Sequence, residues 1–505
     1  MALIWQAIPY NLPPRPSILD AGAPLPHVNP MPDDPAATRY RPETPIATIA
    51  PWLASPVDPA PFPAHTLRFR NDRWAAAVGL DALADAEWIA HFGRFEALPG
   101  NLERPLALRY HGHQFRHYNP DIGDGRGFLF AQMRDAAPLP PGGRLLDLGT
   151  KGSGQTPYSR DGDGRLTLKG AVREILATEM LEALGVDTSK TFSVVETGEE
   201  LWRGDEPSPT RSAVLVRLSH GHIRIGSFQR LLALEETAHT AQLVDYCLAT
   251  YPGPLPPADA PDRDNPAVIL LHQVVERLAD LAASWMVAGF VHGVLNTDNM
   301  NISGESFDYG PWRWAPRWDP RFTAAYFDRT GLYAFGRQPE ALLWNCGQLA
   351  VALRPLAETA PLVAALDRFG PLYQSAMARR FCWRLGVASR SPEEDVALIH
   401  AAEEAMKGHD LSPDRFFQLH RAGRPGPDKT FNALLSKHEA TGSADADLWQ
   451  ADEPVHLHIE EVERIWSHID TSDDWSALHE KVEAIRHLGR ALGEAPRPQG
   501  QFPEG

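Results

Sequence analysis

From His292 to Trp312 the chain reads HGVLNTDNMNISGESFDYGPW, and this stretch decides how the rest is understood. Asn299 and Asp308 each offer a hard oxygen, the donor that magnesium bound to nucleotide phosphates prefers, with water completing the shell. Asp298, next to Asn299, is the carboxylate inside the loop itself and is placed to accept a proton. An isolated NTDN is more often a solvated turn. Here it is joined to HG before it and DYG after it, which argues for a site.

Protein-kinase catalytic loops read H-R-D-L-x-x-x-N and are followed by D-F-G. Laid on that template, His292, Leu295 and Asn299 match, and Asp308-Tyr309-Gly310 stands where D-F-G would be. Val294 occupies the place of the catalytic Asp, and a valine neither accepts a proton nor orients a hydroxyl. A plain kinase reading fails at that residue.

Upstream, Gly123-Asp124-Gly125-Arg126-Gly127 leads into the apolar run Phe128-Leu129-Phe130, the form of a glycine turn before a strand. Glycines let backbone amides approach phosphate oxygens, and Arg126 adds a charged donor. Lys151 follows the strand-like RLLDLGT, where kinases carry the lysine that reaches the phosphates. Two glutamates on the next helical stretch are candidate partners for it. Glu179 falls on the apolar stripe with Val172, Ile175 and Leu176, Glu174 lies on the opposite face, and spacing alone leaves the choice open. Asp163-Gly164 is a candidate ligand-touching turn; the surrounding SRDGDGRLTLKG is not a calcium loop, because the pattern's Gly and Glu positions hold Leu166 and Val172. Arg217 and Arg224 in VLVRLSHGHIRIGSF offer two fork-shaped phosphate donors. His111, His113 and His117 match no zinc spacing and read as turn and packing histidines.

Strand-like runs at Gly127–Met133, Arg144–Leu148, Thr191–Glu196 and Ser212–Leu218, around a helix over Leu168–Leu184, predict a strand-rich first lobe. After the polar segment Asp259–Asn265, helices are predicted over Ala267–Ala288, Glu340–Leu353, Pro361–Leu385, Pro392–Lys407, Pro413–His420, Thr430–His438 and Val462–Leu492. The expected organisation is a Pro-rich extension wrapping the core (1–100), a kinase-like N-lobe (101–255), a helical C-lobe with the catalytic and metal loop (256–492) and a disordered tail (493–505). The fold class is α+β, bilobal and protein-kinase-like.

A formal charge of −17 works against broad binding to nucleic-acid backbones, though it leaves room for a local basic pocket. The cysteines Cys247, Cys346 and Cys382 form no C-x-x-C pair, so neither a disulfide framework nor a zinc site is indicated. No export signal or membrane-length apolar run is visible, and a cytoplasmic location is expected.

Taken together, GHQF…GDGRG, KGSGQTPYSRDGDGR, the RE of AVREIL, VRLSHGHIRIGSF and the 292–312 stretch strongly resemble the selenoprotein O (SelO/YdiU) family, in order from about Arg109 to Pro355. The resemblance implies a kinase-like fold that binds ATP in a reversed orientation and transfers AMP, not phosphate, to protein hydroxyls. It implies that Gly123, Gly125, Arg126, Asp163, Gly164, Arg217 and Arg224 contact nucleotide, that Lys151 contacts phosphate and pairs with Glu174, that Asn299 and Asp308 hold magnesium (or manganese), and that Asp298 is the base. The chain departs from the family at Arg116, where Gly usually follows GHQF, and at Ala325-Tyr326-Phe327-Asp328, which lacks a His before Asp. No cysteine follows Cys382, so the tail-to-site redox clamp of some members is not available in this sequence.

The leading expectation is a Mg-dependent protein adenylyltransferase acting on Ser, Thr or Tyr hydroxyls, with no nucleic-acid or membrane partner. The alternatives are a uridylyltransferase or phosphotransferase using the same site, and a non-catalytic ATP-binding pseudokinase scaffold.

Overall fold

A computed structural model describes residues 39–136, 143–160, 163–204 and 207–496. The beginning of the Pro-rich extension and the tail from 497 onward lie outside the described residues.

The strands are β1 (Ala54–Pro56), β2 (Thr66–Arg70), β3 (Leu106–Leu108), β4 (Gly112–Gln114), β5 (His117–Asn119), β6 (Leu129–Arg134), β7 (Leu145–Lys151), β8 (Leu166–Thr167), β9 (Lys190–Leu201) and β10 (Thr210–Ser219). The main sheet has the order β1-β3-β6-β7-β10-β9-β2, with β8 added to β10, and its pairings are antiparallel. Its edges come from the segment read as an extension. β1 is short and ends in Pro56, and β2 carries Arg68 and Arg70, devices that discourage further strand pairing. Along β7 the side chains alternate: Leu146 and Leu148 enter the core beneath Trp88 and Phe92, which leaves Asp147, Gly149 and Lys151 for the other face.

The helices of the sheet lobe are α1 (Ala50–Leu53), α2 (Asp72–Val78), α3 (Asp85–Phe92) and α4 (Leu168–Ala183). α4 is capped by the Thr167 hydroxyl, which accepts from Gly170 N at 3.1 Å, and buries Val172, Ile175, Leu176 and Met180. Two helices, α5 (Ile225–Ala233) and α6 (Thr237–Thr250), precede the polar segment, so the chain turns helical earlier than its composition suggested. The long α7 (Pro266–Ala288) starts with an Asn265 cap and Pro266, and stops where Gly289 takes φ 70°. Its all-round burial makes it the axis of the helical lobe, packed by α8 (Gln338–Leu353) and α10 (Phe369–Leu385).

The run predicted as one helix over 361–385 is two, α9 (Thr359–Asp367) and α10. Pro371 supplies no N–H and crowds the carbonyl of the preceding turn, so the helix breaks at Arg368. Likewise 462–492 divides into α14 (Ile459–Ser472) and α15 (Ser476–Leu492) at Asp473, which adopts φ 50°. Between α10 and α14 in sequence come α11 (Pro392–Gly408), α12 (Pro413–His420) and α13 (Lys429–Leu435). No helix of the described residues is long and apolar enough to cross a membrane.

Candidate active site

The 292–312 segment leaves α7 through the strand β11 (Phe290–Val291), which pairs with β12 (Arg313–Trp314), so both ends of the loop are tied together. Inside it, His292 is buried, with Nε2 2.9 Å from the Phe307 carbonyl and Nδ1 accepting from Val294 N at 3.4 Å. The Asn296 carbonyl oxygen of the side chain accepts from Phe115 N at 3.0 Å and from the Tyr333 hydroxyl at 2.9 Å. Thr297 bonds Gln229 of α5. The loop is thus held by the β4–β5 hairpin, by α5 and by Tyr333 at once.

This loop and the sheet enclose a cavity of about 690 Å³. Gly123, Gly125, Arg126, Lys151, Asp163, Arg217, Arg224, Asp298, Asn299 and Asp308 all line it. Two expected residues do not. Glu174 stands behind Lys151, its Oε2 2.8 Å from Nζ. Gly164 packs against the 152–155 turn, where a Cβ would come within 2.6 Å of Gly154 O, and its own carbonyl accepts from Gly154 N.

The glutamate ambiguity is resolved by geometry. Glu174 faces Lys151, while Glu179, equally buried, is bound by Arg486 of α15 at 2.7 and 2.9 Å and by Asn71. Periodicity failed to separate them because α4 is covered on both faces, by the sheet lobe and by the C-terminal helices.

At the centre, Lys151 Nζ also lies 3.2 Å from Asp308 Oδ1, and Arg217 lies 3.6 Å from the same oxygen. Burial alone raises the Asp308 carboxyl, but Lys151, Arg217, Arg126 and Arg224 outweigh it and hold the group well below the usual carboxylate range. Asp308 has φ 62°, an uncommon conformation for a residue with a Cβ, at the turn that points the chain back toward β12. Asn299 donates from Nδ2 to Val294 O at 3.1 Å, which leaves its amide oxygen available. Asp298 behaves oppositely to Asp308. Burial raises its carboxyl to about 6, with Arg224 opposing and Asp308 adding to the rise, and its Oδ1 has no partner.

Arg224, expected as a phosphate donor, also has partners within the protein. It is buried, donates to Asp298 O at 2.9 Å and to the Tyr110 hydroxyl at 3.1 Å, and pairs with Asp124 at 3.0 Å. With Arg217 it lies over the Phe307 ring. Asp124 in turn accepts from Leu108 N, so one arginine joins the glycine turn to the 292–312 loop. Asp124 was visible inside GDGRG, yet nothing in the sequence assigned it this partner.

Gly123 and Gly125 do not take left-handed backbone. They are glycine because the 156–159 segment lies on them: a Cβ would meet the Tyr158 ring or its carbonyl at 2.6 Å. The Arg126 guanidinium and Arg160 N both donate to Asp163, and all three residues line the cavity.

Three other polar groups have local partners. His111 Nδ1 meets the Tyr118 hydroxyl and His113 Nδ1 the Gln229 amide. Arg116 pairs with Glu340 and sits over Trp344. Cys382, Asp395 and His438 converge to within 4.8 Å, but Asp395 accepts from Ser389 and Arg390 N while His438 Nδ1 is 3.0 Å from Ala388 O. Hydrogen bonding explains that cluster.

The chain resembles known proteins over most of its length. The family model described as "Protein adenylyltransferase SelO" matches residues 39–452. A "Protein nucleotidyltransferase YdiU" of Synechocystis is 42% identical over 465 residues, covering 85% of this chain and 94% of the relative. One of Trichodesmium erythraeum is 48% identical over 455 residues, covering 84% and 94%. A solved kinase-fold protein, ROP2 of Toxoplasma gondii, pairs with 66% of this chain at 12% identity and a TM-score of 0.24, too low to weigh on the fold. A sheet lobe with a lysine–glutamate pair, a helical lobe carrying the loop and this match over most of the chain lead to one conclusion: the protein belongs to the SelO family of protein nucleotidyltransferases.

Proposed function

We propose that this chain transfers AMP from ATP to hydroxyl side chains of protein substrates, in a Mg²⁺-dependent reaction that releases pyrophosphate. The observation that carries the reading is the place of the proton acceptor. Val294 stands where a kinase has its base, and the carboxylate of the loop, Asp298, has an unpartnered oxygen and a carboxyl raised to about 6. That group is ionised at neutral pH and more basic than an ordinary aspartate.

Asn299 and Asp308 fit a divalent ion. One offers an amide oxygen left available by its other hydrogen bond, and the other is an ionised carboxylate that lines the same cavity. Bound there, Mg²⁺ or Mn²⁺ would neutralise phosphate charge and hold triphosphate oxygens in place. In the reaction itself, the substrate hydroxyl oxygen bonds to the α-phosphorus while the bond from that phosphorus to the pyrophosphate oxygen breaks. The hydroxyl proton passes to Asp298. Lys151, Arg217 and Arg224 stabilise the charge that develops on the leaving pyrophosphate, and Glu174 fixes Lys151 for that task.

Incubation with ATP labelled at either the α- or the γ-phosphate tests this, with label expected on protein from α alone. Label only from γ would make the chain a phosphotransferase, transfer from UTP in preference to ATP a uridylyltransferase, and binding with no transfer a scaffold. Asp298→Asn is expected to lower kcat by ~10²–10⁴-fold while leaving ATP binding in place. An unchanged kcat would remove Asp298 from the mechanism.

A further inference from the structure

In the wall of the cavity that Lys151 also lines stands an imidazole that the adenylyl-transfer reading leaves unused. His222, in the loop after β10, fills the space over Gly149 of β7: a Cβ on Gly149 would come within 2.0 Å of its Nε2. Its Nδ1 is 3.1 Å from Asp147 Oδ2, and Asp147 is held on its other oxygen by the Gln132 amide at 2.8 Å. That carboxylate sets the tautomer, with the hydrogen on Nδ1. Nε2 is left without a partner although His222 is only 3% exposed. The ring lines the same cavity as Lys151, Arg217 and Arg224.

A buried orphan nitrogen calls for an explanation. Simple packing does not supply one, since an apolar side chain would fill the space over Gly149 without leaving a polar atom unpaired. The charged groups facing the ring are Asp147 on β7, Arg217 on β10 and Asp124 of the glycine turn, with Tyr246 and Tyr251 behind Asp147. Burial keeps the imidazole below the usual histidine range, against the pull of Asp147, so in the nucleotide-free protein the ring is neutral. A triphosphate entering the cavity adds the negative charge that favours imidazolium.

We propose that His222 is a further triphosphate-binding residue: as nucleotide enters it takes up a proton from solvent, and the ring tilts off Gly149 so that Nε2–H donates to a phosphate oxygen. This rests on the nucleotide-binding half of the proposed function and not on AMP transfer. Asp147 is its positioning residue, orienting the ring and stabilising its charged form.

Calorimetric titration of the full chain with Mg-ATP, and separately with inorganic tripolyphosphate, in two buffers of different ionisation enthalpy tests it. The wild type is expected to show net proton uptake with both ligands. His222→Leu should bind each about tenfold more weakly or worse and lose the uptake. His222→Gln, whose amide N–H replaces Nε2–H, should recover most of the affinity without the uptake. Wild-type affinity and uptake in His222→Leu would overturn the inference alone, as would equal weakening in both variants with a matching fall in melting temperature. A wild type that binds neither ligand would overturn the nucleotide reading as well.

Discussion

Glu174 and Glu179 lie on the same helix, are both nearly fully buried and have different consequences. Glu174 bonds Lys151 within the cavity's charge cluster, whereas Glu179 bonds Arg486 and Asn71 outside it. Glu174→Gln weakens the hold on Lys151 and leaves Lys151 and Arg217 with less compensating charge. Nucleotidyl transfer is expected to fall by more than tenfold with little change in melting temperature, because Asp308 still pairs with both cations. Glu179→Gln should do the reverse, costing about 1–3 kcal/mol of stability while sparing the reaction. Parallel assays of transfer and thermal unfolding on both variants decide, and equal loss of activity in the two would defeat the distinction. The sequence showed both residues and the lysine. It did not show which side of α4 the C-terminal helices would cover, since that depends on contacts some 300 residues apart.

At the scale of elements, α4 is clamped between the sheet and α15. Gly489 of α15 lies so close to Ala183 that an added Cβ would stand 3.2 Å from the Ala183 Cα. Along the rest of α4, Lys169 pairs with Glu463 and Glu179 with Arg486, so three residues of the C-terminal pair fix the helix that carries Glu174. α14 and α15 lie beyond the residues that the family model matches. Gly489→Leu is expected to push α15 off α4, reduce transfer several-fold and increase hydrogen exchange along 168–183. Unaltered exchange there, with the protein folded, would show that α15 is not a brace. The long amphipathic helices and the central strands were legible because their periods are clear. The breaks at Arg368 and Asp473 each turn on a local rule, proline in one and an aspartate that accepts left-handed backbone in the other.

Across the whole molecule the two halves are joined by buried polar contacts, and these make stability depend on pH. Glu305 is 5% exposed, accepts from His220 N at 2.7 Å and lies next to the bridge between Thr188 and Ser306. Burial first, then the nearby Asp187, raises its carboxyl far above the ordinary glutamate range, with Lys190 and Arg144 pulling the other way. The folded protein therefore keeps this proton at pH values where the unfolded chain, with an ordinary glutamate near ~4.3, has lost it. The stabilisation is full below that unfolded value and is lost as pH rises through the folded one. Glu305→Gln retains an acceptor for His220 N and has no proton to lose. The melting temperature of the variant should therefore gain on the wild type steadily from acid to alkaline pH. Two curves that stay parallel between pH 5 and 9 would mean that Glu305 titrates normally and that this junction does not set the pH response ~.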